Sequence, residues 1–245
     1  SDLLRRFQGP VGGPVMLRNT RTFGSPGKTN PTHVWLWLSR VRELADSRTY
    51  LQGRFKPDDL NEDLLRYVVR LSWMDNGPRL AREFLEERGI ALVIEPHLPK
   101  THLDGAAMLG RTGAPIIGLT LREDRLDNFW FTLLHELVHA WRHLHDGDRR
   151  AIVDEDVERR SDRDELEEEA NKWAENLLLP RSVWLRSDAH LDPSAASIEA
   201  LARELQISPA IVAGRVRYER KNYALFPRLV GYRQARAAFP EVKWS

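Results

Sequence analysis

One segment constrains this chain more than any other: Phe131-Thr132-Leu133-Leu134-His135-Glu136-Leu137-Val138-His139-Ala140, in which three titratable residues interrupt an otherwise apolar run. The spacing predicts a buried helix. Positions i and i+4 fall on neighbouring turns of one face, so both imidazoles can reach a single cation. Buried among Leu133, Leu134, Leu137 and Val138, unpaired polar groups would be costly, which argues that something charged meets them. The chain has no cysteine, so a metal can be held only by histidine and carboxylate, and neutral imidazole suits Zn²⁺. Glu136, next to the first histidine, can then face a metal-bound water and take its proton as general base.

Two histidines leave an open catalytic site one ligand short. His143 lies a further four residues along, but over eight residues a straight helix turns it about 80° away from His135. His143 and His145 therefore read as helix-end or supporting groups. A better source is the helix predicted over 165–179, closed by Pro180, with Ala170, Trp173, Ala174, Leu177 and Leu178 on its buried face. Glu167 and Asn171, at i and i+4, lie close to the line through Ala174 and Leu178. A carboxylate aimed at a core needs a metal or partner, which makes Glu167 the expected third ligand. Asn171, one turn on, is expected to orient a ligand histidine through its outer nitrogen. Glu168 reads as part of a solvated acidic face, and Glu169 as the weaker competitor for the ligand role.

The rest of the chain suggests an α+β protein, mostly helical. Gly9-Pro10, Gly12-Gly13-Pro14 and Gly24-Ser25-Pro26-Gly27 mark residues 1–31 as a flexible segment or linker. Residues 32–75 form a helical region: one helix capped by Thr32, carrying Val34, Trp35, Leu38, Val41 and Leu44, and one opened by Pro57, carrying Leu60, Leu64, Tyr67, Val68 and Leu71. Trp35 and Trp37 read as core. From 76 to 245 extends a third unit, beginning with a helix over 79–88 that stops at Gly89 and strands at 90–94, 106–109 and 114–121. The last strand, with Pro115 at its start and Gly118 inside, is expected to lie at a sheet edge and pair with an extended peptide beside the metal. The tail from Ser197 to Val216 reads as helix–turn–helix, with Arg215, Arg217 and Arg220 in reach of phosphates if it bound DNA; a packed helical pair is the favoured reading.

Charge supports that preference. Across 245 residues, 37 Lys and Arg face 36 Asp and Glu for a net +1, so no basic field recruits nucleic acid. The longest apolar runs, such as Val34 to Leu38, are too short to span a bilayer, and the expected compartment is the cytoplasm. The chain opens at Ser1 without methionine, as a processed or excised protein would.

Together His135-Glu136-Leu137-Val138-His139, Glu167-Glu168-Glu169-Ala170-Asn171 and Leu177-Leu178-Leu179-Pro180 resemble the ImmA/IrrE metallo-endopeptidases, closest to the branch often fused to a HigA-like helix-turn-helix domain. Supporting matches run from Leu98 to Ala106 and from Gly118 to Phe131, so the resemblance covers roughly residues 77 to 237. It implies a zincin-like fold of the gluzincin type, a small sheet beside the metal helix, and Zn²⁺ held by two His and a Glu. It also implies stress-response or toxin–antitoxin proteolysis of a helix-turn-helix repressor or antitoxin. The rival reading is a transcriptional regulator or antitoxin-like binding protein whose metal site is inactive or structural. Glu136 favours the enzyme, because a structural site has no use for a carboxylate between its histidines. His102, Tyr218 and Arg215 are candidates to stabilise the oxyanion.

Overall fold

The computed structural model describes the backbone of residues 15–19 and residues 29–144 and 158–244, with side chains of the last stretch from 165 onward. Expectations for the remainder of segment 1–31, for His145 and for the acidic cluster before 165 lie outside the described residues.

Four strands form one mixed sheet: β1 (Val15–Asn19), β2 (Ala91–Ile94), β3 (Leu103–Leu109) and β4 (Pro115–Leu119), in the order β1-β3-β4-β2. β3 pairs antiparallel with both β1 and β4, while β2 runs parallel to β4. Two sequence expectations are corrected here. Val15–Asn19 is a paired strand, although the glycines and prolines on both sides in the sequence read as a linker. And β4 is flanked on both sides, so it offers no free edge to a peptide. Its continuous burial fits an internal strand.

Side-chain alternation divides the core into two. Val93, Ala106, Met108 and Ile116 face helix α1 (Pro31–Asp46), packing on Trp37, Leu38 and Val41. Leu92, Ile94, Ala107, Ile117 and Leu119 face the opposite side, packing on Phe129, Trp130, Leu133 and Leu137 of helix α4 (Leu126–Val138). Gly118 permits the close approach of α1: a Cβ there would lie 2.8 Å from Trp37 and 2.9 Å from Val41. Its role is packing, not contact with substrate.

Helices α2 (Glu62–Leu71) and α3 (Gly77–Glu87) precede the sheet. The cap of α1 is Asn30, whose side chain accepts from the backbone N–H of Thr32 and His33, because Pro31 takes the first helical position. Likewise Pro57 opens only a 3₁₀ turn, and α2 starts after Asn61, which caps the Leu64 N–H at 3.0 Å. Tyr67, expected inside, is 48% exposed and stacks on Phe84; Leu65 and Val69 take the buried positions.

After α4 comes α5 (Glu158–Leu178), then the short α6 (Arg181–Trp184) and α7 (Asp188–Leu191), the pair α8 (Ala195–Leu205) and α9 (Pro209–Glu219), and α10 (Gln234–Ala237). The tail pair packs inward through Ile198, Leu201, Ala202, Ile211, Val212 and Val216. Its arginines are engaged within the protein. Arg215 bonds Glu175 and Glu219, Arg217 is 1% exposed beneath Tyr223 and Tyr232, and Arg220 donates to the His190 carbonyl. Among the described residues no helix is long and apolar enough to cross a membrane.

Candidate metal centre

Helix α4 carries His135 and Glu136, both fully buried, with His139 at its C-terminal end, also fully buried. The apolar residues that make the helix amphipathic toward the sheet also deny these groups water. Facing them is α5, whose Ala170, Ala174, Leu177 and Leu178 are buried against the core as expected, with Trp173 half-buried. That register turns Glu167 inward, with its side chain 24% exposed.

His135, His139 and Glu167 converge. The two Nε2 atoms are 3.0 Å apart. Glu167 Oε2 lies 3.2 Å from His135 Nε2, and Oε1 lies 3.3 Å from His139 Nε2. Burial alone would raise the Glu167 carboxyl, but hydrogen bonds and positive charge from His135 and His139 outweigh it and hold the carboxyl at about 2. Two imidazole nitrogens and a carboxylate oxygen aimed at one point form the nitrogen–oxygen donor set that a divalent cation takes, with the missing sulfur ligand disfavouring softer ions. The donor set fits Zn²⁺.

Glu136 is beside this cluster, and β3 fits against it. A Cβ on Gly105 would lie 2.8 Å from Glu136 Oε1 and 2.9 Å from Thr132 Cγ2, so only glycine leaves the carboxylate its place. Sequence reasoning did not single out Gly105; a lone glycine inside a strand was the available signal.

The surrounding expectations divide. Glu168 lies on the solvent side with Lys172 at 2.7 Å. Glu169 is outside the three-residue cluster and instead accepts from Arg142 Nε at 2.6 Å. The outer nitrogen of His139 meets His143 Nδ1 at 2.8 Å, not Asn171. His143 is held below its ordinary pKa, first by burial and then by the charge of His139. Of the oxyanion candidates, Arg215 is committed to Glu175 and Glu219, and Tyr218 is 49% exposed under Lys221; His102 adopts a left-handed backbone (φ 50°) immediately before β3.

A family model for the IrrE N-terminal-like domain matches residues 85–217. The matched stretch begins within α3, includes β2–β4, α4 and α5, and ends within α9; it contains the whole donor cluster, whereas β1, α1 and α2 precede it. Neither a curated protein nor a solved structure matches the chain.

Proposed function

Because the chain belongs to the family of IrrE N-terminal-like peptidase domains, we propose that it is a zinc-dependent endopeptidase with a zincin-like site built on α4 and α5. The supporting observation is the convergence of His135, His139 and Glu167 beside the buried carboxylate of Glu136. In this reading His135 and His139 supply Nε2 ligands from successive turns, and Glu167 supplies the third from the neighbouring helix. Bound Zn²⁺ would polarise the scissile carbonyl and make water nucleophilic near neutral pH.

The chain's own residues then handle the proton. Glu136, excluded from bulk water and seated against Gly105, accepts the proton of the attacking water on a carboxylate oxygen and passes it to the departing amine. His143 supports His139 from behind. The expected substrate is a protein, specifically a helix-turn-helix repressor or antitoxin, as the resemblance to the ImmA/IrrE endopeptidases implies.

The test is incubation with purified proteins encoded beside its gene, with and without chelator, read by intact mass. Two fragments summing to one partner plus water, formed only by the metal-loaded protein and not by Glu136→Gln, would support the reading. Cleavage that survives both chelation and Glu136→Gln would overturn it.

A further inference from the structure

The histidine helix does not end as a regular α-helix. At His139–His143 it widens into a π turn, closed by a bond from the Leu144 N–H to the His139 carbonyl at 3.0 Å. Such insertions are rare and concentrate at functional sites. Here the widened turn holds His143 Nδ1 at 2.8 Å from His139 Nδ1, with the His143 side chain only 4% exposed. On its other side, His143 Nε2 lies 3.4 Å from Glu169 Oε2. Glu169 is held in turn by Arg142, whose guanidinium lies over the edge-packed rings of Trp141 and Trp173, 5.4 Å and 5.1 Å from their centres.

We propose that His143 and Glu169 form a hydrogen-bond relay that sets the tautomer of His139 and so readies its inner nitrogen for a metal; this rests on the zinc-site reading above. An ionised carboxylate can only accept, so the hydrogen of His143 is on Nε2. A neutral ring protonated there has a lone pair on Nδ1, which accepts from His139 Nδ1–H. With the His139 ring neutral, its Nε2 is then bare, facing His135 Nε2 and Glu167 Oε1. The direction of every bond in the chain follows from Glu169 at its outer end. The relay also joins the two ligand helices, because Glu169 is two residues beyond Glu167 on α5. His143 and Glu169 are therefore positioning residues, acting on the metal through His139.

The experiment measures Zn²⁺ affinity by competition with a chromogenic chelator, and histidine ¹⁵N spectra of the metal-free protein. Replacing His143→Leu breaks the relay and should weaken Zn²⁺ binding about 10- to 100-fold. His143→Gln should restore most of it, since the amide oxygen can accept from His139 while its NH₂ donates to Glu169. In the metal-free wild type, with the His139 ring neutral, its hydrogen should reside on Nδ1, and Glu169→Ala should let the Nε2–H form grow. This second measurement keeps the inference falsifiable if His143→Leu does not fold. Wild-type affinity in His143→Leu, equal weakening by Leu and Gln, or a His139 hydrogen already on Nε2 would each overturn the relay alone. Equal zinc uptake by wild type and His139→Ala would instead overturn the site reading, and the relay with it.

Discussion

Substituting Gly105→Ala tests whether Glu136 does the chemistry, because β3 presses directly on it. The added Cβ would sit 2.8 Å from Glu136 Oε1, 2.9 Å from Thr132 Cγ2 and 3.0 Å from Glu136 Cγ, where ordinary contact begins near 3.4 Å. Either the carboxylate retreats by about 0.6 Å or β3 bows away from α4. Both neighbours are buried, so neither move is free, and overpacking of this kind costs about 1–3 kcal/mol. Since a misplacement of about 1 Å can cost about 100-fold in rate, turnover should fall at least tenfold. Gly118→Ala is the matched control. Its Cβ would lie equally close to Trp37 and Val41 on the opposite face of the sheet, without touching Glu136. The two variants should lose similar stability in thermal melts while both retain Zn²⁺, yet only Gly105→Ala should lose most cleavage of the partner protein. Wild-type turnover in Gly105→Ala, or equal turnover in the two variants, would refute the reasoning.

Other changes separate the roles of neighbouring groups. Glu136→Gln should retain Zn²⁺ by elemental analysis and lose about 10²- to 10⁴-fold in turnover, whereas His139→Ala should lose both metal and activity. In metal-free protein Glu167, held at about 2 against an ordinary 4.5, contributes stability that is fully present above pH 4.5 and lost as pH falls toward 2. The contribution is at most about 3 kcal/mol, and acid unfolding of the chelated Glu167→Gln variant should lack that limb. Arg215→Ala should destabilise by about 1–3 kcal/mol by denaturant melt, since it removes the guanidinium that Glu175 and Glu219 share.

Much of the local structure was legible because short-range rules decide it. The 3.6-residue period marked α1 to α5, and runs of buried aliphatic residues marked β2 and β4. Boundaries moved wherever proline competed with a cap: Pro31 displaced the cap of α1 from Thr32 to Asn30, and Pro57 yielded a 3₁₀ turn before Asn61 could start α2. Strand order was not legible. Whether Pro115–Leu119 lies at an edge depends on β2, which pairs parallel with it on one side while β3 pairs antiparallel on the other. Nothing local to β4 records that pairing.

The site divides along the same line. His135, Glu136 and His139 are legible because one helix carries them at a fixed spacing. Glu167 is legible because an inward carboxylate on an otherwise apolar face needs a reason, and the three-residue cluster on α4 and α5 supplies one. The helical rule read His143 as a helix-end or supporting group without showing what it meets. Its 80° offset from His135 assumed a straight helix, but the relevant neighbour is His139, and the π turn at 139–143 brings the two outer nitrogens together. Wherever a ligand histidine ends a helix, the turn that follows decides what stands behind it, and here that turn carries both His143 and the Arg142 that holds Glu169.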